Sequence, residues 1–181
     1  MTDMITNVTL DDLHTAIETQ IGAQFPDLKT VEFYRDDRRQ PTVPACLLEL
    51  VDFEPDEGGE TFTEQLALVA TFDARIVMGF RTPDAHREVR RASAALAGFI
   101  NQQRWGQGGG VGPAEIMTVA PDEFSPELDR YEVWRVTWRQ TVHIGDTVWT
   151  NDGTIPETVL VSWSPEIGPD NEEDYTEVPG T

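Results

Sequence analysis

The chain has 181 residues, 39% of them hydrophobic and 25% charged, and its 33 Asp and Glu against 13 Lys and Arg give a formal net charge of −20. That size and apolar content suit one packed domain with polar extensions. The charge repels DNA phosphates and anionic lipid, which argues against nonspecific nucleic-acid or membrane-surface binding and favours basic protein surfaces, or the wall of a passage in which DNA must not stick.

The single cysteine, Cys46, excludes an intramolecular disulfide, and its place in Ala45-Cys46-Leu47-Leu48 marks it as a core thiol. No apolar run approaches the ~20 residues that span a bilayer. Met1-Thr2-Asp3-Met4 lacks the basic start and apolar stretch of a signal peptide, so synthesis in the cytoplasm is expected.

A first helix begins at Thr9, where Thr9 and Asp12 form a capping-box-like pair. Leu10, Leu13, Ile17, Ile21 and Phe25 recur at helical spacing, and Pro26-Asp27 ends the run. Val31–Arg35 reads as a short strand, 36–41 as a charged turn, and Val43–Phe53 as a strand with Pro44 at its start or on an edge. After the acidic turn 54–60, residues 62–80 read as one long strand. Its even positions, from Leu66 through Phe72 and Ile76 to Phe80, are apolar; its odd positions carry Thr63, Gln65, Thr71, Asp73 and Arg75. At ~3.3 Å per residue such a strand reaches about 50–60 Å, so it is expected to be bent or bulged, or to project as part of a hairpin.

A second helix is predicted from Pro83 to Arg104, capped by Thr82, with Pro83 in its first position. Val89, Ala92, Leu96, Phe99 and Ile100 line its buried side; Arg87, Arg90 and Arg91 lie toward the other. The loop Gly106-Gln107-Gly108-Gly109-Gly110-Val111-Gly112 follows a helix and precedes a strand, the reverse of a dinucleotide fingerprint, and has no Gly-Lys-Ser/Thr ending. It reads as a flexible connection that adapts to a neighbouring subunit. Ala114–Val119 is a strand, 121–129 an acidic loop, and Tyr131–Ile144 a strand that buries Trp134, Val136, Trp138, Val142 and Ile144 on one side. From Gly145 onward Pro and Gly recur among isolated apolar patches such as Val159-Leu160-Val161 and Trp163, as in an extension that adds a strand to a neighbour or wraps it.

The predicted fold is α+β: a mainly antiparallel sheet with two helices packed on one face, a long β-hairpin and an extended C-terminal arm. The expected division is a domain over 1–145 and an acidic, Pro/Gly-containing extension over 146–181.

Catalytic and ligand patterns are weak throughout. His14, His86 and His143 form no His-Glu-x-x-His pair, and nothing links Cys46 to His143 as a nucleophile pair. Glu54, Asp56, Glu57 and Glu60 lack the ladder of a calcium loop. Trp134 and Trp138 share a face with arginines nearby, an arrangement that can stack single-stranded bases, but core packing suits a chain this acidic better. No catalytic residue, metal or cofactor is expected.

The charge itself is segregated. Arginines concentrate in Arg35, Arg38 and Arg39 and in Arg81, Arg87, Arg90 and Arg91. No Lys or Arg follows Arg139, while carboxylates continue through Glu172, Glu173, Asp174 and Glu177. A basic patch and an acidic arm on one molecule permit head-to-tail association. The expected contact residues are Arg38, Arg39, Arg87, Arg90, Arg91, Glu172, Glu173 and Asp174. The alternative for the last residues is a solvated tail.

With these elements in place, residues 9–145 resemble the tail terminator (tail-completion) proteins of tailed bacteriophages, in their Mu-like, contractile-tail form. The resemblance lies in the helix Leu10–Phe25, the strand Pro44-Ala45-Cys46-Leu47-Leu48-Glu49-Leu50, the long strand running into Arg87–Ile100, and the aromatic strand from Trp134 to Gly145. It implies a homohexameric ring that caps the tail tube and sheath, stops polymerisation, and meets the connector at the neck of the head. DNA passes through such a ring without specific binding, and the protein is assembled in the bacterial cytoplasm and carried in the virion. The pattern does not include 146–181. The alternative is a head–tail connector or head-completion protein of the same neck.

Overall fold

The computed structural model describes residues 8–35, 40–58, 63–122, 131–148, 160–165 and 167–177. The chain divides into two compact units, Met1–Val148 and Trp149–Thr181. The first holds helix α1 (Leu10–Gln24), strands β1 (Thr30–Phe33), β2 (Ala45–Pro55) and β3 (Leu66–Gly79), helix α2 (Ala85–Ile100), and strands β4 (Glu115–Pro121) and β5 (Tyr131–Ile144). The second holds the short strands β6 (Leu160–Val161) and β7 (Thr176–Glu177).

The five strands of the first unit form one sheet in the order β1-β2-β3-β5-β4. Every neighbouring pair is antiparallel except β1 and β2, which are parallel. β2 and β3 make the long hairpin. The pairing of β3 with β5 runs without interruption from Leu66↔Ile144 to Gly79↔Tyr131. The irregularities fall on the flanking strands instead, in register shifts between Leu50 and Asp52 on β2 and between Ile116 and Thr118 on β4. Such bulges add local twist at the flanks of a long sheet.

Period-two patterning sends the even positions of β3 and β5 to one face. Ala70, Phe72, Ala74, Ile76 and Met78 meet Val136, Trp138 and Val142 in a core shared with Leu13, Ile17 and Ile21 of α1 and Val89, Leu96 and Ile100 of α2. Both helices therefore lie on one side of the sheet, and the class is α+β. Phe72 and Trp138 stack at 5.1 Å with 13° between their planes. Each such side chain, fully buried, contributes about 1.5–3 kcal/mol.

Thr9 caps α1: its Oγ1 accepts from the Asp12 backbone N–H at 3.1 Å and donates to the Asp12 carboxylate at 2.6 Å. The second helix departs from its predicted limits. It begins at Ala85 and ends at Ile100, not at Pro83 and Arg104. Asp84 precedes it in the left-handed conformation (φ 53°, ψ 34°) with no side-chain cap, while the Thr82 carbonyl accepts from the Ala85 N–H to close a turn. At the other end Gln102 swings to φ 69° and pairs back onto Ala114 (2.8 Å), so the helix cannot continue.

The second unit is small. β6 and β7 pair antiparallel, Leu160↔Glu177 and Val161↔Thr176. Between them lies a 3-10 stretch, Pro169–Asp174, interrupted at Asn171. The Tyr175 hydroxyl accepts from the Gly168 N–H at 3.0 Å. The unit thus carries local order of its own in place of a purely extended arm.

Candidate interaction surfaces

The outward face of α2 presents Arg87, Arg90 and Arg91, all exposed, because Val89, Leu96 and Ile100 hold the opposite face on the sheet. The three differ in freedom. Arg90 folds back on its own molecule: its guanidinium carbon sits 5.0 Å from the centroid of the Trp134 ring, and its Nη1 donates to the His86 carbonyl. Arg91 pairs with Glu88 at 2.7 Å, one turn back on the helix. Arg87 forms no ion pair among the described residues. His86, on the same turn, faces Glu132 of β5 at 2.8 Å. The neighbouring apolar groove, about 350 Å³, runs between the end of α1 and α2, past Phe25, Leu28, Pro44, Met78 and Ala92, with Arg91 at its rim.

The opposite face of the sheet carries a polar network that the sequence did not single out. Arg75 is its hub, with Nη1 2.7 Å from Glu49, Nε 3.0 Å from Asp122 and Nη2 3.7 Å from Asp73. Arg135 lies directly across the ladder from Arg75 and also approaches Asp73 at 3.7 Å. The Thr137 hydroxyl donates to the second oxygen of Asp73 at 2.6 Å. Two arginines side by side across a ladder repel; the three carboxylates offset that repulsion. Burial works to lower the Arg75 pKa, but the hydrogen bond to Glu49 and the charges of Glu49, Asp122 and Asp73 outweigh it, so the guanidinium is held above its ordinary value. Further along, Arg139 reaches Glu54 at 3.4 Å. Nearer the other end, Ala45, Leu47, Val77 and Val133 form a smaller apolar cluster on the same face.

In the second unit Glu173 and Asp174 are exposed within the 3-10 stretch that also contains Glu172. Leu160, Val161, Trp163 and Ile167 are exposed as well, Trp163 to 78%. Arg38 and Arg39, the remaining expected contact residues, lie outside the described residues, as does most of the acidic loop 121–129.

The other candidate positions are structural. Cys46 is fully buried, and burial pushes its thiol up to about 12, far from a reactive thiolate. His14 packs against Phe33 at 4.3 Å, and its Nε2 lies 3.4 Å from the Tyr34 hydroxyl. Trp138 packs in the core as expected; Trp134 is half-buried under Arg90. The glycine loop is anchored by side chains from outside it. Gln140, buried on β5, accepts from Trp105 Nε1 at 2.9 Å and donates to the carbonyls of Gln103 (3.0 Å) and Gly112 (2.7 Å). A Cβ on Gly112 would come within 3.3 Å of the Thr141 side chain, a tight contact that a glycine avoids. Among the described residues no group of three or more His, Cys, Asp and Glu is arranged to hold a metal, and no helix is long and apolar enough to cross a membrane.

No protein-family model matches the chain, and no curated protein is significantly similar to it.

Proposed function

We propose that this protein is a structural virion subunit, a tail terminator of a contractile-tailed bacteriophage. It forms a homohexameric ring that caps the tail tube and sheath and joins the tail to the connector at the neck. It performs no chemistry and takes no cofactor; its work is assembly.

The observation that carries this reading is the separation of two unlike surfaces on one subunit. The exposed side of α2 is arginine-bearing. The opposite face of the sheet carries a near-balanced network, with Glu49, Glu54, Asp73 and Asp122 paired with three arginines. A cyclic ring is built from heterologous contacts, in which one patch of each subunit meets a different patch of the next. The arginine side calls for an acidic patch on the next subunit, which the carboxylate-rich C-terminal segment supplies and the near-balanced sheet face does not, so like-to-like pairing is disfavoured. The overall charge of −20 is also suited to a lumen through which DNA slides, because such a wall offers phosphates no counterion-releasing partner.

Electron microscopy of the purified protein, alone and mixed with its cognate tail tube, tests the proposal. Sixfold rings, or added density only at the tube end distal to the baseplate, are expected. A monomer that ignores tube ends and binds portal would move the protein to the connector. A monomer that binds neither would remove it from the neck.

A further inference from the structure

The second unit cannot account for its own order. Trp149–Thr181 is shorter than the ~40 residues below which a unit usually needs a disulfide, a metal or a partner to fold. The chain's one cysteine, Cys46, lies in the first unit. Among the described residues no metal-holding group occurs. Yet Leu160, Trp163 and Ile167 are 54%, 78% and 55% exposed within this short segment. An exposed tryptophan beside other apolar side chains is the composition of an interface anchor, since Trp is enriched at binding hot spots that sit in pockets on the partner.

Charge identifies the kind of surface that would take it. From 149 to 181 there are eight carboxylates and neither Lys nor Arg. The complementary patch on this same chain is α2 with its approach, where Arg81, Arg87, Arg90 and Arg91 stand against Asp84 and Glu88. Beside it runs the groove of about 350 Å³ lined by Phe25, Leu28, Pro44, Met78 and Ala92. That volume lies within the range of apolar pockets that enclose a ring-sized group. Asp27 and Glu88 also border the groove; Glu88 is occupied by Arg91, and the exposed Arg81 and Arg87, outside the groove lining, outnumber Asp27 and remain for incoming carboxylates.

We infer that the C-terminal unit of one copy docks on a second copy, with Trp163 and Ile167 in the α2 groove and the flanking carboxylates against Arg81 and Arg87. This rests on the ring reading and specifies the contact that joins one subunit to the next. The occupant is a second copy because both halves of the contact are present on every chain, in the form that a heterologous ring requires.

Sedimentation velocity of the full chain tests this, with Trp163→Ala and the double variant Arg81→Glu, Arg87→Glu. All three altered side chains are exposed, so folding is expected to survive, and circular dichroism checks it. The wild type is expected to sediment as a ring whose assembly weakens in high salt. Each variant alone should need at least tenfold more protein to assemble. Mixing the two variants should give a one-to-one dimer and nothing larger, because only one productive groove–anchor pair remains. Rings that persist in either variant would overturn the docking and leave the ring intact. A mixture that yields no dimer would also overturn it, assigning the anchor to its own chain or to another protein. A wild type that stays monomeric at every concentration would overturn the ring reading and the docking together.

Discussion

Gln140 shows how one buried amide fixes a loop that its own composition leaves free. It occupies an even position on β5, among apolar neighbours, and is 1% exposed. Its three hydrogen bonds tie Trp105 and the carbonyls of Gln103 and Gly112 to the sheet. Replacing it by Leu takes the partner from the Trp105 N–H and the Gly112 carbonyl, each costing about 1–3 kcal/mol, while the Gln103 carbonyl keeps its bond from the Ala114 N–H. Gln140→Leu should therefore lose roughly 2 kcal/mol or more in urea unfolding, where an unchanged midpoint would show the loop to be held by something else. Neither Gln140 nor Trp105 is legible in the sequence, because a single polar residue in an apolar stripe looks like an interruption until the groups it serves are in place. His14 makes a different prediction. Burial lowers its pKa below the ordinary 6.5, against the smaller opposite pull of Asp11. The unfolded chain then takes up the proton first, so the stability tied to neutral His14 is complete above pH 6.5 and falls as the pH drops from there through the lowered native value. His14→Phe, which keeps the stacking on Phe33, should lose less stability than the wild type between pH 7 and 5 in parallel thermal melts. Equal losses would assign the acid limb to other groups.

At the scale of elements, the sequence is a good guide wherever the signal is periodic or local. The cap at Thr9 and the stripe Leu13, Ile17 and Ile21 define α1. Thr9→Ala should cost about 1 kcal/mol in chemical denaturation, and no change would mean that tertiary contacts alone hold the helix start. Alternation likewise marks β3 and β5, whose continuous pairing spans both strands. What fails is set by tertiary geometry. Thr82-Pro83 has the residues of a cap, but the chain uses them in a turn and starts α2 beyond a left-handed Asp84. For the long strand, of the bend, bulge or hairpin that its length calls for, the hairpin with β2 forms, and the bulges sit on its neighbours β2 and β4, where they disturb fewer ladder bonds. The parallel pairing of β1 with β2 has no local signature at all. Of the expected contact residues, the outward placement of Arg87, Arg90 and Arg91 follows from helical spacing against Val89 and Leu96. The turn of Arg90 onto Trp134 does not, because it joins two elements far apart in sequence.

Over the whole molecule, the organising feature is a sheet covered by helices on one face and by charge on the other. The covered face supplies the core, from Phe72 and Trp138 to Leu96 and Ile100. The other face builds a network around Arg75, in which partly buried arginines and carboxylates neutralise one another. Such a face resists nonspecific hydrophobic association and accepts only a partner with matching charge, since an unmatched charge at an interface costs binding energy. The arginine side of α2 and the acidic second unit are the other two chemically distinct surfaces. On the proposed reading these three surfaces serve ordered, closed assembly. The most direct test is negative-stain electron microscopy of the full-length protein incubated with cognate tail tubes. The account predicts sixfold rings in isolation and a single cap on the tube end distal to the baseplate. Particles that remain monomeric and leave both tube ends bare would contradict it.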